Sequence, residues 1–104
     1  MVRPPAVLKK APIFLHTETC QAFVGRRRIN LTTTEFNLLA CFLRNGGTTL
    51  SRAMLLTTAW DESYRGTSRT VDTHIQRLRR KLGRAGYFIR TVRGIGYRLE
   101  VPPG

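Results

Sequence analysis

The chain has 104 residues, 41% of them apolar, and carries 18 Lys and Arg against 6 Asp and Glu, a formal net charge of +12. That length and apolar content fit one domain with one core and exclude two. Such a charge repels itself in a free protein and points to a polyanionic partner, nucleic acid before an anionic membrane surface.

Residues 1–12 hold Pro4, Pro5 and Pro12 beside Arg3, Lys9 and Lys10 and read as a linker or tail, which leaves 13–102 as the folded domain. Residues 13–16, 21–24 and 27–31 have strand character, with Gly25 as the turn residue between the last two, and predict a small antiparallel sheet. Thr32-Thr33-Thr34-Glu35 has the spacing of a capping box, with Leu31 and Phe36 at the positions of a hydrophobic staple. Phe36, Leu39, Ala40 and Leu43 follow at helical spacing until Asn45-Gly46-Gly47. Residues 48–50 form a brief extended piece, and Ser51 is placed to cap a second helix running through Leu55, Leu56 and Ala59 to Trp60. Phe36, Phe42, Leu43 and Leu55 are expected in the core. A polar stretch over 61–68 precedes a third helix, 69–82, ended by Gly83. Residues 88–92 and 97–101 read as two strands around Arg93-Gly94-Ile95-Gly96, whose glycines permit a tight turn.

Strands, two helices, a loop, a basic helix and a hairpin make an α+β chain with the layout of a winged helix-turn-helix: a small N-terminal antiparallel sheet, three helices and a C-terminal β-hairpin wing. The charge gathers where that layout meets DNA. From Arg69 to Arg98 there are nine Arg and Lys and one acid, Asp72. At about 100° per residue, Ile75, Leu78 and Leu82 fall within roughly 40° of Val71 and form with it a narrow apolar stripe. Arg69, Thr73, Gln76 and Arg80 project to the opposite side, with Arg77 and Arg79 on its two flanks and His74 bordering the stripe. Arg pairs bidentately with guanine and Gln with adenine in the major groove. A merely solvated amphipathic helix would mix in Glu for i,i+4 pairs, and this face has none. Asp72 suits the positive end of the helix dipole and is within i,i+3 reach of Arg69.

The hairpin is less decisive by itself. Arg93 at its glycine-flanked tip fits a narrowed minor groove, and Thr91 and Tyr97 fit phosphates; an exposed Arg and a core-packed Tyr fit the same residues. His74 fits a phosphate contact or a packed flank position, and His16 falls in a strand. Cys20 and Cys41 lack a metal-binding spacing and read as two reduced thiols of a cytoplasmic protein. No Cys, His and Asp cluster marks a metal or cofactor, and Ser51, Ser63 and Ser68 lack a base with an orienting partner, so an enzyme is not expected. The apolar runs are too short to cross a bilayer, and no signal peptide is evident at the N-terminus.

Four separated motifs then resemble one family. They are Leu31-Thr32-x-x-Glu35-Phe36-x-Leu38-Leu39; Leu50-Ser51-Arg52 through Leu55-Leu56 to Trp60; Arg69-Thr70-Val71-Asp72-x-His74-Ile75-x-x-Leu78-Arg79-x-Lys81-Leu82; and Thr91-Val92-Arg93-Gly94-x-Gly96-Tyr97. In that order they resemble the C-terminal effector domain of OmpR/PhoB-type response regulators, over nearly the whole chain. The resemblance implies a winged helix fronted by a four-stranded sheet, in a bacterial two-component transcription factor that binds tandem direct repeats of double-stranded DNA, with a receiver domain elsewhere in the full-length protein. It implies base contacts from Thr73, Arg77 and Arg79, backbone contacts from Trp60, Arg69, His74, Thr91 and Tyr97, and a minor-groove contact from Arg93. It also implies RNA polymerase contact through the loop holding Asp61, Glu62, Ser63, Tyr64 and Arg65. Gln76 and Arg80 join the base readers on the strength of the helical projection. Thr33 and Met54 depart from the family's common Pro and Glu without threatening the fold.

The reading is therefore sequence-specific DNA binding, with helix 69–82 in the major groove and wing 88–99 in the minor groove. The alternative is a general basic RNA-binding module, which asks for stacking aromatics on an exposed sheet face. Phe36, Phe42, Trp60 and Phe88 fall instead at core-like positions. A protein-interaction module built on residues 61–68 is compatible with DNA binding, and a membrane surface is disfavoured because the outer face of the basic helix lacks bulky apolar residues.

Overall fold

In the computed structural model, which describes residues 6–60 and 66–102, four strands come first. They are β1 (Val7–Lys10), β2 (Ile13–His16), β3 (Gln21–Val24) and β4 (Arg27–Ile29), paired antiparallel in chain order. Strand alternation gives the sheet two unlike faces. Ile13, Leu15, Ala22 and Ile29 turn inward and are buried. Lys9, Phe14, Phe23 and Arg28 share one register row across the four strands on the other face.

Strand β1 departs from the sequence reading, which treated 1–12 as a tail. Of its residues only Val7 and Leu8 are partly buried, while Lys9 and Lys10 are exposed, so it carries little alternation to detect. It is an edge strand, held by main-chain pairing with β2, and edge lysines are a common guard against further pairing. Pro12 does not end the fold; its carbonyl accepts a 2.7 Å hydrogen bond from the Gly25 N–H and ties the two turns together.

Helix α1 (Thr33–Arg44) starts as its sequence dictates. The Thr32 hydroxyl accepts from the Glu35 N–H at 3.2 Å, and a Glu35 carboxylate oxygen accepts from the Thr32 N–H at 2.9 Å. Phe36, Leu38, Leu39 and Phe42 on this helix are buried against the sheet and the other helices, with Leu43 partly so. The short strand β5 (Leu50–Ser51) leads into α2 (Arg52–Ala59), whose first turn is capped by the Ser51 hydroxyl accepting from the Met54 N–H at 3.1 Å. Helix α3 (Ser68–Leu82) follows, then a 3-10 turn (Gly83–Phe88) that the sequence reading left unassigned, and the hairpin β6 (Ile89–Val92) and β7 (Gly96–Leu99). Strand β7 lies between β5 and β6, so Leu50 and Ser51 anchor the hairpin to the body of the domain.

That anchorage has one tight point. Gly96 pairs with Ser51, and a Cβ there would collide with the Leu50 carbonyl. Gly96→Ala is expected to lose about 1–3 kcal/mol of stability through this overpacking. A urea melt checks it: the midpoint falls while the slope stays the same.

Candidate nucleic-acid interface

Burial fixes which way α3 faces. Val71, Ile75, Leu78 and Leu82 are all 0% exposed. Each contributes about 1.5–3 kcal/mol over an exposed position, against less than about 1 kcal/mol for a surface ion pair. The apolar stripe therefore decides the rotation, and the charges follow. Arg69, Thr73, Gln76, Arg77 and Arg80 emerge exposed on the outer side. Among the described residues, the side chains of Gln76, Arg77 and Arg80 make no hydrogen bond or ion pair. Thr73 donates its hydroxyl to the Arg69 carbonyl at 3.1 Å. Arg79, Arg80 and Lys81 occupy the last turn, the negative end of the helix dipole.

Arg79 behaves unlike the other candidate readers. It is half-buried, and its Nε and Nη2 donate to the Ile89 carbonyl at 3.0 and 2.6 Å. Nη2 also donates to the Thr91 hydroxyl at 2.8 Å. The guanidinium thus holds strand β6 against α3. Beside it, Tyr97 is 3% exposed, so the phenol expected at the DNA backbone is in the core. Its ring lies between two guanidiniums, with Arg52 5.4 Å and Arg79 5.3 Å from the centroid. Its hydroxyl donates to Asp72 Oδ1 at 2.6 Å.

Asp72 also accepts from Arg52 Nε at 2.8 Å, rather than pairing with Arg69 as its spacing had suggested. The reason is rotational: Arg69 is on the exposed side of α3, whereas Asp72 meets α2 and β7. Burial opposes ionisation of Asp72, but the Tyr97 hydroxyl and Arg52 outweigh it and hold the carboxyl below its ordinary value. Burial, reinforced by Asp72, pushes the Tyr97 phenol up. At the other end of α3, Lys81 Nζ donates to Glu35 Oε1 at 2.6 Å. Glu35 is 2% exposed. Its burial is outweighed by Lys81 and by the Thr32 N–H, and its carboxyl too titrates low. The capping-box acid therefore serves α1 and α3 together.

The remaining candidates flank this unit. Trp60 is half-buried and meets the His74 ring edge-on at 5.0 Å between centroids. His74 Nδ1 lies 2.9 Å from the Thr70 carbonyl oxygen. Thr91 and Arg93 are exposed on the hairpin, with Gly94 at φ +78° beside them and Ile95 56% exposed at the tip. Asp61, Glu62, Ser63, Tyr64 and Arg65 lie outside the described residues. Cys20 is exposed and Cys41 buried, both as free thiols.

Sequence reasoning missed Arg52 and Lys81 as structural partners and gave Asp72 the wrong one. Arg52 and Asp72 are 20 residues apart, Asp72 and Tyr97 25, and Lys81 and Glu35 46, so no local spacing announced them. Exposed cationic side chains thus lie on the outer face of α3 and, as Arg93, at the hairpin tip.

Comparison with known proteins agrees with this geometry. The family model described as "Transcriptional regulatory protein, C terminal" matches residues 25–99. The transcriptional regulatory protein CseB of Streptomyces coelicolor is 49% identical over 94 residues; the match takes in 90% of this chain, which spans only 39% of that regulator's length. Among solved structures, the DNA-binding domain of the response regulator AdeR, in complex with an intercistronic region, superposes with a TM-score of 0.80 at 29% identity, covering 91% of this chain and 99% of that one. The Klebsiella pneumoniae RstA DNA-binding domain, in complex with the RstA box, gives 0.78 at 30% identity, covering 90% and 96%.

Two acids with lowered pKa values fix the sign of a pH dependence. Glu35 and Asp72 contribute stability above their ordinary values of 4.5 and 3.8 and lose it as pH falls through the lower folded-state values. The urea midpoint should be insensitive to these groups at neutral pH and fall in acid, and Glu35→Gln, which keeps the cap, should flatten that fall. Tyr97→Phe should cost about 1.5–3 kcal/mol, the net worth of a hydrogen bond to a charged group, read from the same denaturation curves.

Proposed function

The chain belongs to the family of transcriptional regulatory protein C-terminal domains, of the OmpR/PhoB response-regulator type, and is a sequence-specific double-stranded-DNA-binding domain; on that premise we propose that α3 lies in the major groove and the β6–β7 hairpin in the adjacent minor groove. One observation carries the assignment: the outer face of α3 presents Gln76, Arg77 and Arg80 with no partner among the described residues, on a helix whose inner stripe is wholly buried. Groups that are already hydrogen-bonded inside a protein have less to offer a base edge, and these three are not.

Thr73, Gln76, Arg77 and Arg80 are the base readers in this reading. Arg79, expected among them, acts mainly by bracing the hairpin through Ile89 and Thr91. Arg69, Trp60, His74 and Thr91 face phosphates, and Arg93 enters the minor groove. Tyr97 supports these contacts from the core rather than making one. No catalytic step is needed for this activity. The longer regulator, by the same proposal, carries a receiver domain, binds tandem direct repeats as two copies, touches RNA polymerase through Asp61, Glu62, Ser63, Tyr64 and Arg65, and works in the cytoplasm where its DNA is. Among the described residues no helix is long and apolar enough to cross a membrane.

Selection of bound duplexes from a random library tests the assignment. A direct repeat with half-sites about one helical turn apart is expected, and recovery of no motif would sink it. Phe14 and Phe23 on the outer face of the first sheet keep the RNA alternative in the experiment; structured RNA should fail to displace the selected duplex. Arg77→Ala should weaken specific binding by about 1–3 kcal/mol and relax preference at one base pair. Arg69→Ala should instead reduce the slope of log affinity against log salt by about 0.9 on duplexes of every sequence.

A further inference from the structure

A cleft of about 580 Å3 separates the C-terminal half of α3 from the base of the hairpin. Its lining includes Gln76, Arg79 and Arg80 from the helix, Tyr87 from the 3-10 turn, and Arg90 and Thr91 from β6. Three of these six residues are arginines and none is acidic. Glu100 lies 3.7 Å from Arg90 Nε and pairs with Arg98 as well. Tyr87 is 79% exposed. Its position is not set by packing of its own ring. Gly86, just before it, is pressed so closely on α3 that a Cβ there would collide with the Arg79 carbonyl. The backbone therefore holds an aromatic hydroxyl in water at the cleft. Arg79, bonded to Ile89 and Thr91, keeps the two walls at a fixed separation.

Duplex geometry says what must pass there. The major groove and the next minor groove are divided by a single sugar-phosphate strand. A domain that puts a helix in the first and a hairpin in the second straddles that strand, which has to run between helix and hairpin. From this we infer that Tyr87 and Arg90 grip the strand dividing the two grooves: the Arg90 guanidinium pairs with a phosphate, and the Tyr87 hydroxyl donates to a phosphate oxygen. Neither residue belongs to any of the four sequence motifs, and both add to the DNA footprint without reading a base. The inference rests on the groove assignment above.

The experiment compares wild type, Arg90→Ala and Tyr87→Phe on the selected duplex and on a duplex of mixed sequence, across a salt series. Arg90→Ala should make the salt slope shallower by about 0.9 on both duplexes and leave base preference unchanged. Tyr87→Phe should weaken binding about two- to tenfold with the slope unchanged, because a neutral hydroxyl releases no counterion. Replacing the phosphates of the dividing strand one at a time by neutral methylphosphonate should weaken wild type at one position where Arg90→Ala is insensitive. Both substituted side chains are exposed, so urea midpoints matching wild type should confirm intact folding. If both variants keep wild-type affinity and slope while Arg77→Ala still relaxes preference, the grip is overturned and the groove assignment stands. If Arg77→Ala leaves preference untouched, the groove assignment fails and the grip falls with it.

Discussion

Asp72 holds the reading surface in one piece, because its carboxylate receives hydrogen bonds from two other elements. Arg52 approaches from α2 and the Tyr97 hydroxyl from β7, while Asp72 itself belongs to α3. The Tyr97 ring then sits between the guanidiniums of Arg52 and Arg79, and Arg79 reaches on to β6. A cation–π contact is worth about 0.5–2 kcal/mol, and a single hydrogen bond about as much. Such sums are small beside the burial of the α3 stripe, so this cluster does little to decide whether the domain folds. It decides how the hairpin sits on the helix. A two-stranded hairpin is marginal by itself, and β5 adds only two residues of pairing. The chain from Arg52 to Thr91 adds a polar link between helix and hairpin to the pairing with β5 and the burial of Ile89, Tyr97 and Leu99.

The same economy of acids governs the rest of the molecule. The chain has six carboxylate residues against 18 Lys and Arg, and two of the six brace α3 from behind. Asp72 does so near its N-terminal end and Glu35, through Lys81, near its C-terminal end. Self-repulsion within a strongly cationic protein works against compactness. Placing these acids on the inner margin of α3 relieves that strain where the fold needs it, and it leaves the outer face uniformly positive for a polyanion. Glu35 is doubly employed because its capping role already places a carboxylate at the start of α1, within reach of the end of α3.

Local chemistry explains which parts were legible in the sequence. The capping box at Thr32 and Glu35, the cap at Ser51 and the apolar stripe of Val71, Ile75, Leu78 and Leu82 depend on residues within a few positions of one another, and each forms as read. Strand β1 escaped because its pairing is main-chain and only Val7 and Leu8 of its four residues are even partly buried. The 3-10 turn escaped because its reason is the approach of Gly86 to the Arg79 carbonyl, which no composition of residues 83–88 reveals. At the interface, the outward set Arg69, Thr73, Gln76, Arg77 and Arg80 follows from angular arithmetic alone. The internal partners of Arg79 and Tyr97 were not legible because they arrive from elsewhere in the chain. A flank position on a helical wheel cannot distinguish a side chain aimed at DNA from one aimed at a neighbouring strand.

The separation of inner and outer faces on α3 also bears on how such a domain diverges. The side chains of Gln76, Arg77 and Arg80 bond to nothing in the described fold, and substitutions at surface sites of that kind usually move stability by no more than about 0.5 kcal/mol. If these are the base readers, as proposed, target preference is open to change at three or four positions without passing through unfolded intermediates. The braces at Asp72, Arg79 and Tyr97 have no such latitude, because altering any of them shifts every contact at once rather than one base pair at a time.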